Sequence, residues 1–358
     1  MVRGCRLALA ALICLSAGPP AGAKRDGDPF KLYEQPGRMV TVASGSLSAY
    51  CTGSSGPTIV LETGYGGGTA YAWHKLQPLL ARFARTCSYD RAGYGFSSLA
   101  KDSIRDLNHF VADLHDLLTS LHERQPYVLV GHSNGGLIVG AYADRFPGQV
   151  AGLVFLDAAV VLEETPLTLL SAEDEASLGR RLGSIRGCLD RMQSARRAQV
   201  PAPHDPCLNS NSFGQLPPRM AAAAFASMSK PDYWRSYLSE TENNYRGVLS
   251  HQAMELLPHK WRNLAVRVVT ADIAQMSDEE SAKAYGLSPN DHDALAAARA
   301  NRVQWETRQS LICEQSTDCE AERIRVADHY VQNAAPEQVA GIIEGLTNSI
   351  RSKMRASH

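Results

Sequence analysis

What the sequence lacks narrows it first. Neither sign of charge dominates: 36 Lys and Arg stand against 37 Asp and Glu, for a formal net charge of −1. There is therefore no basic footprint for nucleic acid and no acidic tail. No Cys-x-x-Cys pair and no Cys/His cluster has the spacing of a zinc site, so no metal is expected, and no motif calls for a cofactor. Internal repeats and low-complexity linkers are missing. What remains is a chain of 358 residues, 44% hydrophobic and 20% charged, the balance of a globular protein with a large core.

The amino terminus reads as a removable export signal over residues 1–23. "MVRGCR" supplies positive charge, "LALAALICLSAG" is an apolar stretch too short to span a bilayer, and "AGA" offers small residues before Lys24. Cys14 follows the bulky Ile13, which argues against a lipoprotein. Cleavage after Ala23 removes Arg3 and Arg6 and no acidic residue, taking the net charge from −1 to −3. The expected destination is secreted or periplasmic, with no membrane span once the signal is gone. Six cysteines then remain: Cys51, Cys87, Cys188, Cys207, Cys313 and Cys319. An even set in an oxidising compartment reads as disulfides. Local pairing of 188 with 207 and 313 with 319 leaves 51 with 87; six buried thiols are the other reading.

Downstream, apolar strands alternate with amphipathic helices. "RMVTVAS" and "LSAYCTG" form two short strands around a turn at Gly45, and "TIVLETG" (58–64) is a continuous apolar strand. "YAWHKLQPLLARFA" has helical spacing apart from Pro78, and "RTCSYDR" is a strand again. In "SIRDLNHFVADLHDLLTSLH", Leu107, Phe110, Val111, Leu114, Leu117, Leu118 and Leu121 share one helical face. "PYVLVGH" and "VAGLVFLD" are buried strands separated by the helix "GGLIVGAYADRFP". This alternation predicts a mostly parallel sheet covered on both faces. It breaks over residues 160–262, where helical pieces and Pro-rich turns read as an insertion capping a site. Ala, Phe and Met side chains with Trp234 and Tyr237 would line an apolar pocket there. It resumes at "AVRVVTA" (265–271), with a last strand placed over 324–329 and a closing helix from "PEQVAGIIEGL".

"GHSNG" (131–135) fits G-x-S-x-G with a strand before it and a helix after, the context in which the turn lifts a serine nucleophile out of the backbone. Gly131 and Gly135 let strand and helix pass close beside the strained Ser133. His132 is read as packing. The runs "PTIVLETGYGGGTAYAWHKLQPLLARFARTCSYDRAGYGFSS" and "PYVLVGHSNGGLIVGAYADRFPGQVAGLVFLDAA" resemble the α/β-hydrolase superfamily. Within it they resemble the esterase-like serine hydrolases with a Leu-Glu-x-Gly-x-Gly-Gly segment after the third strand. The resemblance implies the α/β-hydrolase fold: an eight-stranded, mostly parallel sheet with helices on both faces and a helical cap inserted after strand 6. Residues 24–159 and 263–358 would form the core and 160–262 the cap. It also implies that the second and fourth strands lie side by side, bringing Cys51 to Cys87. Neither the cap nor region 272–322 resembles a family segment.

A serine hydroxyl needs a base, and in this fold the order is serine, acid, histidine. "VADHYVQ" supplies His329 beyond the last strand and is similar to the family's Gly-His-Tyr-Ile-Gln segment, with Asp328 where glycine is common. The acid is expected past the seventh strand, but "VVTADIAQ" puts Ala274 at that position and Asp272 two residues early. Asp157, at the end of the sixth strand, lies on the correct edge of the sheet and is the preferred assignment, with Asp272 the alternative and Asp328 a further one. The resemblance implies the Tyr65 amide as one oxyanion donor, with Gly66 as fallback, and the Asn134 amide is the other. Asp90 and Arg91 are read as shaping the turn under the site. The expectation is an exported serine hydrolase cleaving a carboxylic ester of a small, largely apolar substrate. A ligand-binding protein on the same fold, an acyltransferase and an amidase remain open alternatives, and oligomeric state is undetermined.

Overall fold

The computed structural model describes residues 29–102, 104–162, 172–195, 207–208, 216–272, 276–285, 287–326 and 328–356. The expected export signal and Ala274 lie outside them. Among the described residues eight strands form one sheet: β1 (Arg38–Val42), β2 (Gly45–Thr52), β3 (Ile59–Glu62), β4 (Thr86–Tyr89), β5 (Tyr127–His132), β6 (Val150–Leu156), β7 (Ala265–Ala271) and β8 (Asp318–Ile324). Their order is β1-β2-β4-β3-β5-β6-β7-β8. β2 runs antiparallel to β1 and to β4, and every other pairing is parallel.

Strands β3, β5 and β7 are buried at every position, which is why they read as continuous apolar runs and not as alternating ones. The period-2 geometry still divides them. Val60, Leu129, Leu153 and Val266 pack on one face with α3 (Leu107–Leu121) and α4 (Gly135–Arg145). Ile59, Leu61, Val128 and Val130 pack on the other with α2 (Leu76–Leu80) and the closing helix (Pro336–Ala356). All seven residues assigned to the apolar face of α3 are buried, each contributing roughly 1.5–3 kcal/mol relative to exposure. Asp106 caps that helix by accepting a hydrogen bond from the His109 amide at 3.0 Å.

The chain leaves the sheet twice on its carboxyl side. Between β6 and β7 come α5 (Ala172–Ala195), α6 (Pro218–Met228), α7 (Pro231–Tyr245) and α8 (Val248–Met254); between β7 and β8 come α9 (Asp278–Tyr285) and α10 (His292–Leu311). Three disulfides close on the pairs left by local pairing: Cys51–Cys87, Cys188–Cys207 and Cys313–Cys319. The first joins residues directly opposite each other on β2 and β4.

Two expectations need correction. The last strand is not over 324–329 but over Asp318–Ile324, "DCEAERI", with its middle four residues exposed. It is an edge strand paired only with β7, so its polar side chains face water and hide the strand pattern. "YAWHKLQPLLARFA" is two helices, α1 (Thr69–Trp73) and α2, parted at His74 and Lys75. Pro78 falls in the first turn of α2, where its missing N–H breaks no helical bond.

Candidate active site

Ser133 follows the last residue of β5 and adopts φ +52°, a left-handed conformation rare outside glycine. Backbone bonds fix it there: its amide donates to the Leu156 carbonyl at 3.2 Å, and its own carbonyl accepts from the Gly136 and Ala159 amides at 2.9 Å each. The glycines around it are sterically required. A Cβ on Gly135 would lie 2.5 Å from the Glu62 carbonyl oxygen, and one on Gly64 would lie 2.8 Å from the Ser133 Cβ. The loop after β3 therefore runs directly against the serine. His132 is fully buried, with Nε2 donating to the His329 carbonyl at 3.1 Å. Burial pushes its ring down to about 3, so it stays neutral.

Five residues beyond β8 lies His329, half-exposed. Its Nδ1 is 2.6 Å from Oδ2 of Asp157, which is fully buried at the end of β6. Burial by itself raises the Asp157 carboxyl, but hydrogen bonds from His329 and Arg302, with their charges, outweigh it and hold the group at about 2. Asp157 is thus held ionised well below the usual carboxylate range. Asp272, the alternative acid, faces Arg323 at 3.5 Å, and Asp328 accepts a hydrogen bond from the Tyr330 amide at 2.8 Å.

The remaining assignments lie on the loop after β3 and at the start of α4. Tyr65 follows Gly64, so its amide belongs to the segment lying against Ser133, and Asn134 opens α4 as its first cap residue. The fallback donor, the Gly66 amide, points to a carboxylate of α7, Glu240, at 3.4 Å. Arg91 lies beneath the loop, buried, and donates to the Thr63 and Gly64 carbonyls at 2.9 and 2.7 Å. It also bridges Glu62 at 2.9 Å and Glu240 at 2.7 Å. The sequence marked Arg91 as a turn-shaping residue; it did not mark Glu240, which ties the β6–β7 excursion to the loop. It also passed over Arg302, Trp305 and Gln309 of α10, all of which contact residues 157–158. Their spacing of three to four residues was the available signal.

Beside the site lies a cavity of about 420 Å³. Its wall is made by neighbours of the serine and histidine, Tyr65, Gly66 and Tyr330, and not by Ser133 itself; Met228, Trp234 and Tyr237 close it from α6 and α7. Tyrosines from the core also line it, so it is more polar than the pocket the insertion's composition predicts.

Residues 57–178 match the family described as the alpha/beta hydrolase fold. A 2-hydroxy-6-oxo-2,4-heptadienoate hydrolase of Pseudomonas putida is 32% identical over 126 residues, 35% of this chain and 45% of that protein. A putative chloroplastic methylesterase of Arabidopsis thaliana is 31% identical over 116 residues, 32% of this chain and 33% of that one. The chain spans less than half the length of these curated relatives. A meta-cleavage product hydrolase structure from Pseudomonas fluorescens superposes with a TM-score of 0.56 at 15% identity, covering 88% of this chain and 98% of that one. Strand order, helix placement and this superposition define the class: the chain has the α/β-hydrolase fold.

Proposed function

We propose that the protein is an exported serine hydrolase that cleaves carboxylic esters of small, largely apolar substrates. The observation that carries this reading is the 2.6 Å contact between His329 and the ionised, buried Asp157, taken with a serine in left-handed backbone after β5. Fold alone does not choose a chemistry; a nucleophile, a base and an orienting acid supplied in the order of this fold do. Relatives named as a hydrolase and a methylesterase lend support. The three disulfides favour an oxidising compartment. No helix among the described residues is long and apolar enough to cross a membrane.

The reaction runs in two balanced halves. His329 Nε2 takes the Ser133 hydroxyl proton as Oγ attacks the ester carbonyl, and the negative charge moves to the carbonyl oxygen. The Tyr65 and Asn134 amides receive that oxyanion. Collapse expels the alkoxide, which leaves with the proton from His329 and yields the Ser133 acyl ester. Water then repeats the sequence, releasing the carboxylic acid and restoring the serine. Throughout, Asp157 keeps the imidazole oriented and offsets its charge without taking the proton. Residues 160–262 act as the cap, and the cavity beneath it takes the acyl or alcohol group. Its volume sits near the lower end for small-molecule sites.

The test is release of p-nitrophenol from acyl esters of increasing chain length, beside mass-spectrometric detection of a fluorophosphonate adduct on Ser133. Chain-length-dependent turnover with an adduct absent from Ser133→Ala is the expected result. Folded protein that neither turns over an ester nor takes the label would sink the proposal in favour of a ligand-binding protein. Acyl transfer to an added alcohol in preference to water, or cleavage of anilides over esters, would replace the ester hydrolase with an acyltransferase or an amidase.

A further inference from the structure

The region between β7 and β8, which resembles no family segment, supplies the residues that hold the acid. On α10, Arg302, Trp305, Glu306 and Gln309 stand at i, i+3, i+4 and i+7 and so share one helical face. Arg302, Glu306 and Gln309 are buried. Arg302 grips Asp157 with both arms of its guanidinium, Nη1 to Oδ2 at 2.8 Å and Nη2 to Oδ1 at 2.6 Å. The same Nη2 reaches the Ala271 carbonyl, and Nε donates to Glu306 at 3.0 Å. The Trp305 indole donates to Asp157 Oδ1 at 3.2 Å. Gln309 bonds both the amide and the carbonyl of Ala158.

We propose, resting on the serine hydrolase reading, that Arg302 is the positioning residue of this triad and that Glu306 balances its charge. Two features need explaining together. A buried carboxylate that orients an imidazole must be fixed to a fraction of an ångström, and a planar fork with two parallel bonds does this where a single donor cannot. A guanidinium on the acid also opposes the imidazolium formed during catalysis. Glu306 answers the second problem. It takes the third arm of Arg302 and is itself 3.3 Å from Arg323, which reaches Asp272 at 3.5 Å. The result is a row of alternating charge, Asp272, Arg323, Glu306, Arg302, Asp157, ending on His329. Other groups facing the pair are the neutral His132, Tyr330, and Asp328, whose Oδ1 is occupied by the Tyr330 amide. The runner-up acid of the sequence thus stands at the far end of the row that holds the true candidate.

The charge of Arg302 and its fork have separable effects: the charge acts on the His329 proton, the fork on kcat. Removing the guanidinium takes away a cation that opposes imidazolium, so His329 should keep its proton to higher pH. Neutralising Glu306 does the reverse. Arg302→Gln should lower kcat on a p-nitrophenyl ester by about 10- to 100-fold with KM changed less than about twofold, since the loss is in the transition state. It should also move the acidic limb of the kcat/KM profile upward, by roughly half to one pH unit. Glu306→Gln should move that limb down. Arg302→Lys keeps the charge but not the fork, so kcat should fall while the limb stays in place. The His329 titration midpoint, read by NMR on folded protein, must follow the same directions, and it needs no turnover. Unchanged midpoints in Arg302→Gln and Glu306→Gln, or shifts of one sign in both, would overturn the charge balance, and an undiminished kcat in Arg302→Lys would overturn the positioning role. Should Arg302→Gln not fold, Glu306→Gln and Arg302→Lys decide alone. Midpoints that move as stated in a protein without esterase activity would instead refute the hydrolase reading and leave this electrostatic assignment standing.

Discussion

Ser133 and the Asp157–His329 pair are held by different kinds of structure. Around the serine the constraints are main-chain: three backbone hydrogen bonds, and glycines at 64, 131 and 135 where neighbouring atoms pass too close for a Cβ. Around the acid one main-chain bond, from the Asp157 amide to the Val269 carbonyl at 2.7 Å, is joined by side chains of α10: the Arg302 fork and Trp305 indole on Asp157 and the Gln309 amide on Ala158. A candidate site assembled this way can change the support of Asp157 by exchanging side chains on one helix, while the turn at Ser133 stays as the fold dictates.

The largest effect should come from the first half without disturbing its construction. Ser133→Ala deletes an oxygen and leaves every backbone bond of the turn. Ester turnover should drop by at least about 10³-fold, with the thermal midpoint essentially in place. Retained turnover measured on carefully separated variant would remove Ser133 from the chemistry. Next in size is an added methyl. In Gly135→Ala the new Cβ meets the Glu62 and Thr63 carbonyl oxygens at 2.5 and 2.7 Å. Both are backbone, so no rotamer change can relieve the clash, and the cost should be roughly 3 kcal/mol or more. A urea midpoint equal to that of the unmodified protein would show that the turn is not built by close approach.

This division also sets what could be read from the residues. A main-chain site demands glycines at fixed spacing, and Gly131, Ser133 and Gly135 announce themselves; the buried apolar strands β3, β5, β6 and β7 do so equally. α10 carries the opposite kind of signal. Arg302, Glu306 and Gln309 at helical spacing look like a solvated face, because burial of a polar face is visible only once its partners are known. The edge strand β8 misleads for the same reason: four exposed residues in a row carry no strand pattern. Both lie between β7 and His329, the stretch where the expected acid position holds an alanine. Asp157 stood out only through its place at a strand end.

Acid pH should act on the side-chain half selectively. Asp157 sits at about 2 in the folded protein, against the ordinary aspartate value of about 3.9. A folded value below the unfolded one means the carboxylate stabilises the fold throughout the range above about pH 4, and that contribution is lost as pH falls from about 4 through 2. The shift corresponds to about 2 kcal/mol. The stability gap between the unmodified protein and Asp157→Asn should therefore shrink by about that amount between pH 5 and pH 2 in urea titrations. A gap independent of pH would show that the His329 and Arg302 bonds do not hold the acid ionised.

The sign of a stability change separates the two halves most directly, because each contains one residue in left-handed backbone: Ser133 at φ +52° and Asp157 at φ +44°. Left-handed geometry costs a side-chain-bearing residue roughly 1–2 kcal/mol that glycine does not carry. In Ser133→Gly the bonds that fix the turn are all main-chain and survive the change. The variant should therefore be inactive yet more stable, by something under about 1 kcal/mol once the extra freedom of glycine in the unfolded chain is subtracted. Asp157→Gly relieves the same strain but leaves the buried Arg302 fork without its carboxylate, a loss of roughly 3–5 kcal/mol. It should be destabilised on balance. Opposite signs for two glycine substitutions of matching backbone geometry, measured by the same urea titration, would show that backbone holds one residue and side chains the other. Equal signs would mean that the acid is held by its turn, as the serine is, and that α10 merely covers it.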